Sequence, residues 1–222
     1  MLRLAVFDLD GTLKQARDPY VFLHTRLGTL QASESFFADG FAGKITYADW
    51  LRLDAELWKG IPVATIQAHF RQNPYLPGAV ETVRALKAHG VKLALVSTGI
   101  QLHADMVAEE LGFDRVVANY IFAQDGVVSG ETRVGVPEGG KGAVVDMLLS
   151  EFGMAPEDCL AAGDTRSDAD MFSRVGVSVA VCPNHEDARL AATLVLDQPD
   201  LTPVIPWLVA RGYLPAVPSY RR

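Results

Sequence analysis

The chain has 222 residues, 49% of them hydrophobic and 21% charged, enough for one packed α/β domain or one domain carrying an insertion. That balance excludes a disordered or collagen-like chain, and no stretch approaches the roughly 20 apolar residues of a membrane-spanning helix. The formal charge of −7 and the lack of a basic cluster argue against nucleic acid or an anionic membrane as partner. A small anionic substrate stays open, because a local cation overrides the global field.

In chain order, the apolar run 2–7 predicts a buried strand that ends on Asp8-Leu9-Asp10-Gly11-Thr12. From about residue 14 to 75 only helical periodicity is visible. It is clearest over 46–59, where Tyr47, Trp50, Leu51, Leu57 and Trp58 recur at helical spacing. Pro62 opens a further short helix, and Asn73-Pro74 closes the region.

Beyond Pro77 the pattern alternates. A helix runs from Pro77-Gly78 to near Gly90, a strand over 91–96 and a helix over 101–111. A short strand at 115–118 and a hairpin over 120–134 follow, the hairpin turning at Asp125-Gly126. Then come a helix at 141–152, a strand at 159–162, a helix at 167–175, a strand at 177–181 and a last pair of elements.

Such alternation predicts a doubly wound parallel sheet covered by helices on both faces. The helical block is too long for a simple crossover, so 1–13 plus 77–222 are expected to form the core and 14–76 an inserted cap. The apolar start leaves no room for a signal peptide. Cys159 and Cys182, both in apolar strand-like runs, read as buried thiols, so a cytoplasmic protein is expected. Trp50, Trp58 and Phe41 line either a cap cavity or a dimer contact.

Asp8 and Asp10 place two like charges at the edge of a core, which requires a neutraliser; oxygen-only ligands suit Mg²⁺. Ligands of open α/β sheets bind beyond the carboxyl ends of strands. Three more polar features fall near such positions: Ser97-Thr98-Gly99, Gly139-Gly140-Lys141, and Gly163-Asp164 through Asp168. A carboxylate attacking a phosphate monoester brings anion against anion, at roughly 4 kcal/mol per pair of unit charges about 4 Å apart. A bound Mg²⁺ and a lysine reverse that sign. Asp8 can then act as nucleophile and Asp10 as general acid and base. Ser97 and the backbone N–H groups around Thr98 and Gly99, read as a helix start, suit a phosphate oxygen, Lys141 would neutralise charge on the transferring group, and Asp164 and Asp168 would complete the metal shell. Taken singly, each has a plainer explanation as a turn, a helix cap or a solvated lysine; their conjunction points to chemistry. Gly135 through Lys141 mimics a nucleotide-binding loop, but Gly142 supplies no hydroxyl and Pro137 interrupts it.

These motifs resemble the haloacid dehalogenase superfamily, in its phosphoserine-phosphatase-like branch. The resemblance covers nearly the whole chain and includes Gly43-Lys44 and Lys59-Gly60-Ile61-Pro62 of the helical block. It implies a Rossmann-like core with a small helical cap, Asp8 as nucleophile and Asp10 as acid and base. It also implies Mg²⁺ held by Asp8, the Asp10 carbonyl and Asp164. Phosphoserine phosphatases bind the substrate amine through an acidic residue soon after the first motif and its carboxylate through a cap arginine. Here the stretch reads Lys14-Gln15-Ala16-Arg17-Asp18, and the cap position is Asp54, with Arg52 nearby. Asp54 lies on the apolar stripe of its helix, four residues from both Trp50 and Trp58, so it faces either substrate or a nearby arginine. Ser167 stands where many relatives carry Asn. Arg17, Asp18, Arg52, Asp54 and Ser167 are therefore the candidate specificity residues. The expectation is a Mg²⁺-dependent phosphatase of a small phosphorylated metabolite, with specificity departing from phosphoserine. A phosphomutase or phosphotransferase, and a non-catalytic regulatory protein on the same fold, are the alternatives.

Overall fold

A computed structural model of the chain describes residues 1–216. The last six residues of the expected core, 217–222, lie outside the described residues. Seven strands form one sheet in the order β4-β3-β2-β1-β5-β6-β7. They are β1 (Leu4–Phe7), β2 (Lys92–Ile100), β3 (Arg115–Gln124), β4 (Val127–Arg133), β5 (Cys159–Gly163), β6 (Val177–Val181) and β7 (Leu194–Leu196). Every pairing is parallel except β3 with β4.

β1 is wholly buried and central, pairing β2 on one side and β5 on the other. Its side chains alternate between two cores. Ala5 and Phe7 face the layer of α5 (Ala79–Ala88), α6 (Gln101–Leu111) and α10 (Val204–Ala210). Leu4 and Val6 face α7 (Lys141–Phe152), α8 (Arg166–Phe172) and α9 (Glu186–Ala191). Burial on both faces is why the strand reads as an unbroken apolar run rather than an alternating one. Strand order reverses at β1, and the crevice at such a switch point lies beyond the carboxyl ends of the strands, where Asp8 and Asp164 emerge.

Between β1 and α5 lie α1 (Pro19–Leu27), α2 (Leu30–Phe41), α3 (Tyr47–Leu57) and α4 (Val63–Arg71). The two ends of this segment meet at a backbone neck, where Leu76 N–H donates to Leu13 O at 2.8 Å and Gln15 N–H to Pro74 O at 3.0 Å. Pro62 is the N-cap of α4, as its position suggested. The segment has its own apolar cluster of Leu23, Leu51, Ala55, Trp58, Ile66 and Phe70, which also takes in Ile100, Ile121 and Val128 from the sheet.

Several elements differ from the sequence expectation. The strand expected over 91–96 runs on to Ile100, with a register shift between Val96 and Ile100, so Ser97, Thr98 and Gly99 belong to the strand rather than to a helix start. The separate strand at 115–118 is the first half of β3, whose second half forms the hairpin with β4. The hairpin tip pairs with the helical segment: Gly60 N–H donates to Val128 O and Val128 N–H to Ile61 O, each at 2.9 Å. A sheet edge is thereby covered rather than left open. The chain end holds a helix, a strand and a helix rather than one pair. Cys159 is buried, but Cys182 is only half-buried and has φ +42°, because it sits in the turn that leaves β6. No helix among the described residues is long and apolar enough to cross a membrane.

Candidate active site

The end of β1 turns at Gly11, whose φ of +87° suits glycine, and a Cβ there would run into the Asp164 carboxylate. This close approach brings the tips of β1 and β5 together. One ligand atom from each of Asp8, Asp164 and Asp168 lies within 4.8 Å of the others, all three side chains being buried. Thr12 Oγ1 stands between two of them, 3.2 Å from Asp8 Oδ2 and 3.3 Å from Asp164 Oδ1.

Lys141, the first residue of α7, enters this acidic group fully buried. Its Nζ donates to Asp8 Oδ1 at 2.7 Å and to Asp168 Oδ1 at 2.6 Å. Burial works against its charge, yet Asp168 and Asp8 hold its pKa above the ordinary lysine value. Burial pushes the Asp8 carboxyl up to about 7, with Lys141 opposing and Asp168 adding to the rise. Asp164 is pushed up to about 8, by burial first and then by the Asp8 and Asp168 charges, against Arg17 and Lys141. One lysine thus leaves the group short of positive charge. Among the described residues, Asp164 Oδ2 has no hydrogen bond and is ion-paired with Arg17 Nη1 at 3.1 Å.

Asp168 does more than face the acidic group. Its Oδ2 accepts from the backbone N–H of Asp164 at 3.0 Å and of Thr165 at 2.7 Å, and from Thr165 Oγ1 at 2.8 Å. Both of its oxygens are engaged, one on Lys141 and one closing the start of α8.

Asp10 is also buried, with Oδ2 accepting from Ser97 Oγ at 3.3 Å and Oδ1 3.3 Å from His103 Nδ1. Ser97 Oγ in turn accepts from the Gly99 N–H at 2.8 Å. Thr98 contributes its carbonyl, not its N–H, to the visible network: it accepts from Tyr20 Oη at 3.1 Å, Tyr47 Oη at 2.8 Å and Asn119 Nδ2 at 2.7 Å. Asn119 reaches further, its Oδ1 accepting from the N–H groups of Gly135 and Val136 at 3.0 Å each. One buried amide therefore ties β2, α3 and the loop before α7 to one point.

These residues border a cavity of about 300 Å³ between the strand tips and the helical segment. Asp8, Asp10, Ser97, Thr98, Gly99 and Lys141 line its inner end. Asp18, Tyr20, Tyr47, Trp50 and Asp54 line the side toward the helices. Of the five candidate specificity residues, then, Arg17, Asp18 and Asp54 border the cavity. Arg17 lies at the inner end beside Asp164, with Nη2 donating to Cys182 O at 2.7 Å. Asp18 caps α1, its Oδ1 accepting from the Tyr20 and Val21 N–H groups at 2.9 Å each. Arg52 is exposed and does not line the cavity, because α3 turns Asp54 inward and Arg52 outward. Ser167 also stays off the lining, paired with Thr165 Oγ1 at 2.8 Å.

The Asp54 partner is a histidine, not an arginine. Asp54 Oδ1 lies 2.8 Å from His24 Nε2, and both side chains are buried. Trp58 Nε1, which can only donate, lies 3.2 Å from His24 Nδ1. Thr29 Oγ1 lies nearer the same nitrogen, at 2.7 Å, so Asp54, His24, Thr29 and Trp58 form one buried polar chain. Trp58 is thus a buried structural residue, while Trp50 lines the cavity. Nothing in the chain singled out His24, a lone histidine on an apolar helix face. Asn119 did leave a trace, as a polar residue inside an apolar strand.

Comparison with known proteins agrees with this geometry. A family model described as haloacid dehalogenase-like hydrolase matches residues 5–173. The chain is 26% identical over 207 residues to the phosphoserine phosphatase of Methanocaldococcus jannaschii, covering 93% of this chain and 97% of that one. It is 32% identical over 186 residues to that of Albidiferax ferrireducens, covering 80% and 78%. A solved structure described as a phospho-aspartyl intermediate analogue of phosphoserine phosphatase superposes with a TM-score of 0.77 at 26% identity, over 93% of this chain and 98% of that one. With the matched region running through both acidic strand tips and Lys141, the chain belongs to the haloacid dehalogenase-like hydrolase family.

Proposed function

We propose that the protein is a Mg²⁺-dependent phosphatase that hydrolyses a small phosphorylated metabolite through an aspartyl-phosphate, in the manner of the phosphoserine phosphatases it resembles but with its own specificity. The observation that carries this is the buried trio of Asp8, Asp164 and Asp168 within 4.8 Å, with only one lysine among them. The donor set is all oxygen, as Mg²⁺ prefers, and a dication would offset the surplus negative charge that raises Asp8 and Asp164. Asp8 and Asp164 would hold it with the Asp10 carbonyl, while Asp168 serves mainly to hold Lys141 and the α8 start. When bound, Mg²⁺ withdraws charge from the phosphoryl oxygens and lowers the repulsion between two anions.

The residues supply the rest. Asp8 attacks phosphorus and the ester bond breaks, with Asp10 giving its proton to the departing alkoxide. Asp10 then takes a proton from the water that attacks the aspartyl-phosphate, which frees inorganic phosphate and restores Asp8. Lys141 holds Asp8 in place and neutralises charge on the transferring group. Ser97 and the Thr98–Gly99 backbone border the space for the phosphate oxygens. Residues 14–76 act as a cap that excludes water and chooses the leaving group. The cytoplasm is the proposed location.

The test is release of inorganic phosphate from p-nitrophenyl phosphate with Mg²⁺. Chelator and Asp8→Asn should each lower the rate by at least about 10³-fold. Full turnover by Asp8→Asn would refute the covalent route.

A further inference from the structure

The cap-side half of the cavity differs in chemistry from its inner end. The cations on the lining are Lys141 and Arg17, and carboxylates hold both at the inner end, on Asp8 and Asp168 and on Asp164 respectively. Toward the cap the lining is aromatic and acidic: Tyr20, Tyr47, Phe37 and Trp50 with Asp18 and Asp54. The two tyrosine hydroxyls both donate to the Thr98 carbonyl, so they are anchored and the rings form the wall. Trp50 is seated against Gly40, where any Cβ would collide with the indole, and its ring meets that of Phe37 at 5.4 Å between centroids.

Asp54 is 1% exposed and borders this aromatic wall. One of its oxygens lies 2.8 Å from Nε2 of His24, which does not itself line the cavity. A buried carboxylate paired, among the described residues, with a histidine rather than with a lysine or arginine, and facing a cavity walled by rings, is complementary to an organic cation. Asp18 at the rim adds a second negative charge, with one oxygen taken up by the α1 cap. A carboxylate on the leaving group would meet these two acids, while Arg52 lies outside the cavity and Arg17 is tied to the Cys182 carbonyl as well as to Asp164.

We propose that the cap selects phosphate monoesters whose alcohol carries an ammonium group and no carboxylate, with Asp54 as the specificity-determining residue and the four rings as the cation seat. This rests on the phosphatase reading of the inner end.

The experiment measures kcat/KM for O-phosphoethanolamine, phosphorylcholine, glycerol 3-phosphate and O-phosphoserine with Mg²⁺, taking p-nitrophenyl phosphate as reference. At least one of the two ammonium esters should exceed both others by about tenfold, and the primary and quaternary arms tell which ammonium fits. In Asp54→Asn that ratio should fall toward one. Free ethanolamine or choline should also inhibit the reference reaction of the unaltered protein competitively, a readout that needs no variant. Equal or better turnover of glycerol 3-phosphate or O-phosphoserine, with the reference reaction intact, overturns the inference. Failure of the reference reaction itself strikes the phosphatase reading instead. Calorimetric titration of choline and ethanolamine into the Mg²⁺-loaded protein then decides this inference, and absence of binding by both overturns it.

Discussion

Arg17 Nη1 sits 3.1 Å from Asp164 Oδ2, a guanidinium held against the carboxylate at the tip of β5. Its side chain is 38% exposed, whereas that of Asp164 is fully buried. Arg17 therefore supplies from the surface part of the charge that a metal would supply from within. A dication arriving at Asp164 has to displace it.

Arg17→Ala should consequently bind Mg²⁺ about two- to fivefold more tightly in the absence of substrate, since a half-exposed ion pair is worth up to about 1 kcal/mol. Metal titration followed by calorimetry checks this. Unchanged or weaker affinity would mean that Arg17 does not compete for Asp164.

Asp168 joins two tasks in one carboxylate, holding Lys141 with Oδ1 and closing the α8 start with Oδ2. Asp168→Ala leaves Lys141 with a single acidic partner and removes the cap acceptor, a loss of about 3–5 kcal/mol in unfolding free energy. Asp168→Asn keeps an acceptor but not the charge. It should regain over half of that stability while phosphate release stays at least about tenfold below the unaltered protein. Urea unfolding and initial rates, measured on both variants, separate the two tasks. Equal loss of stability in both would show that the charge, rather than the cap, dominates.

The raised carboxyls predict an unusual pH profile for the metal-free protein. Folding takes Asp8 from 3.8 to about 7 and Asp164 from 3.8 to about 8, so between these values the folded state holds protons that the unfolded chain has released. Stability from these groups is therefore full below about pH 4 and falls as pH rises through 7 and 8. In chelator, Tm should drop by about 5 °C or more between pH 5.5 and 8, and Mg²⁺ should restore most of it at pH 8 and little at pH 5.5. Scanning calorimetry with and without Mg²⁺ reads this directly. A Tm that rises across that range in chelator would show that the acidic group is not buried and undercompensated as described.

The motifs were legible because each depends on local chain geometry. Asp8-Leu9-Asp10-Gly11 announces itself as a buried strand meeting a turn, and Lys141 as the residue that opens a helix after two glycines. The alternation after Pro77 fixed the layered class for a similar reason, since strands buried on both faces and helices buried on one carry different periods. Where β2 ends was not legible: Ser97-Thr98-Gly99 reads as a helix start, but Asn119 and the hydroxyls of Tyr20 and Tyr47 hold the Thr98 carbonyl in a bulged strand end.

Alone, the sequence determined the fold class, the run of helices between the first strand and the rest, and the acidic and basic motifs at the strand ends. The tertiary structure decided which of them touch. That Asp54 meets His24 rather than an arginine, that Arg52 turns away while Arg17 reaches Asp164, and that the β3–β4 tip pairs with the 60–63 segment are contacts between residues far apart in the chain. Period and composition encode which face of an element is buried, but not what lies against that face. The partner of a lone buried charge is set by packing between elements, and only the folded chain contains that information.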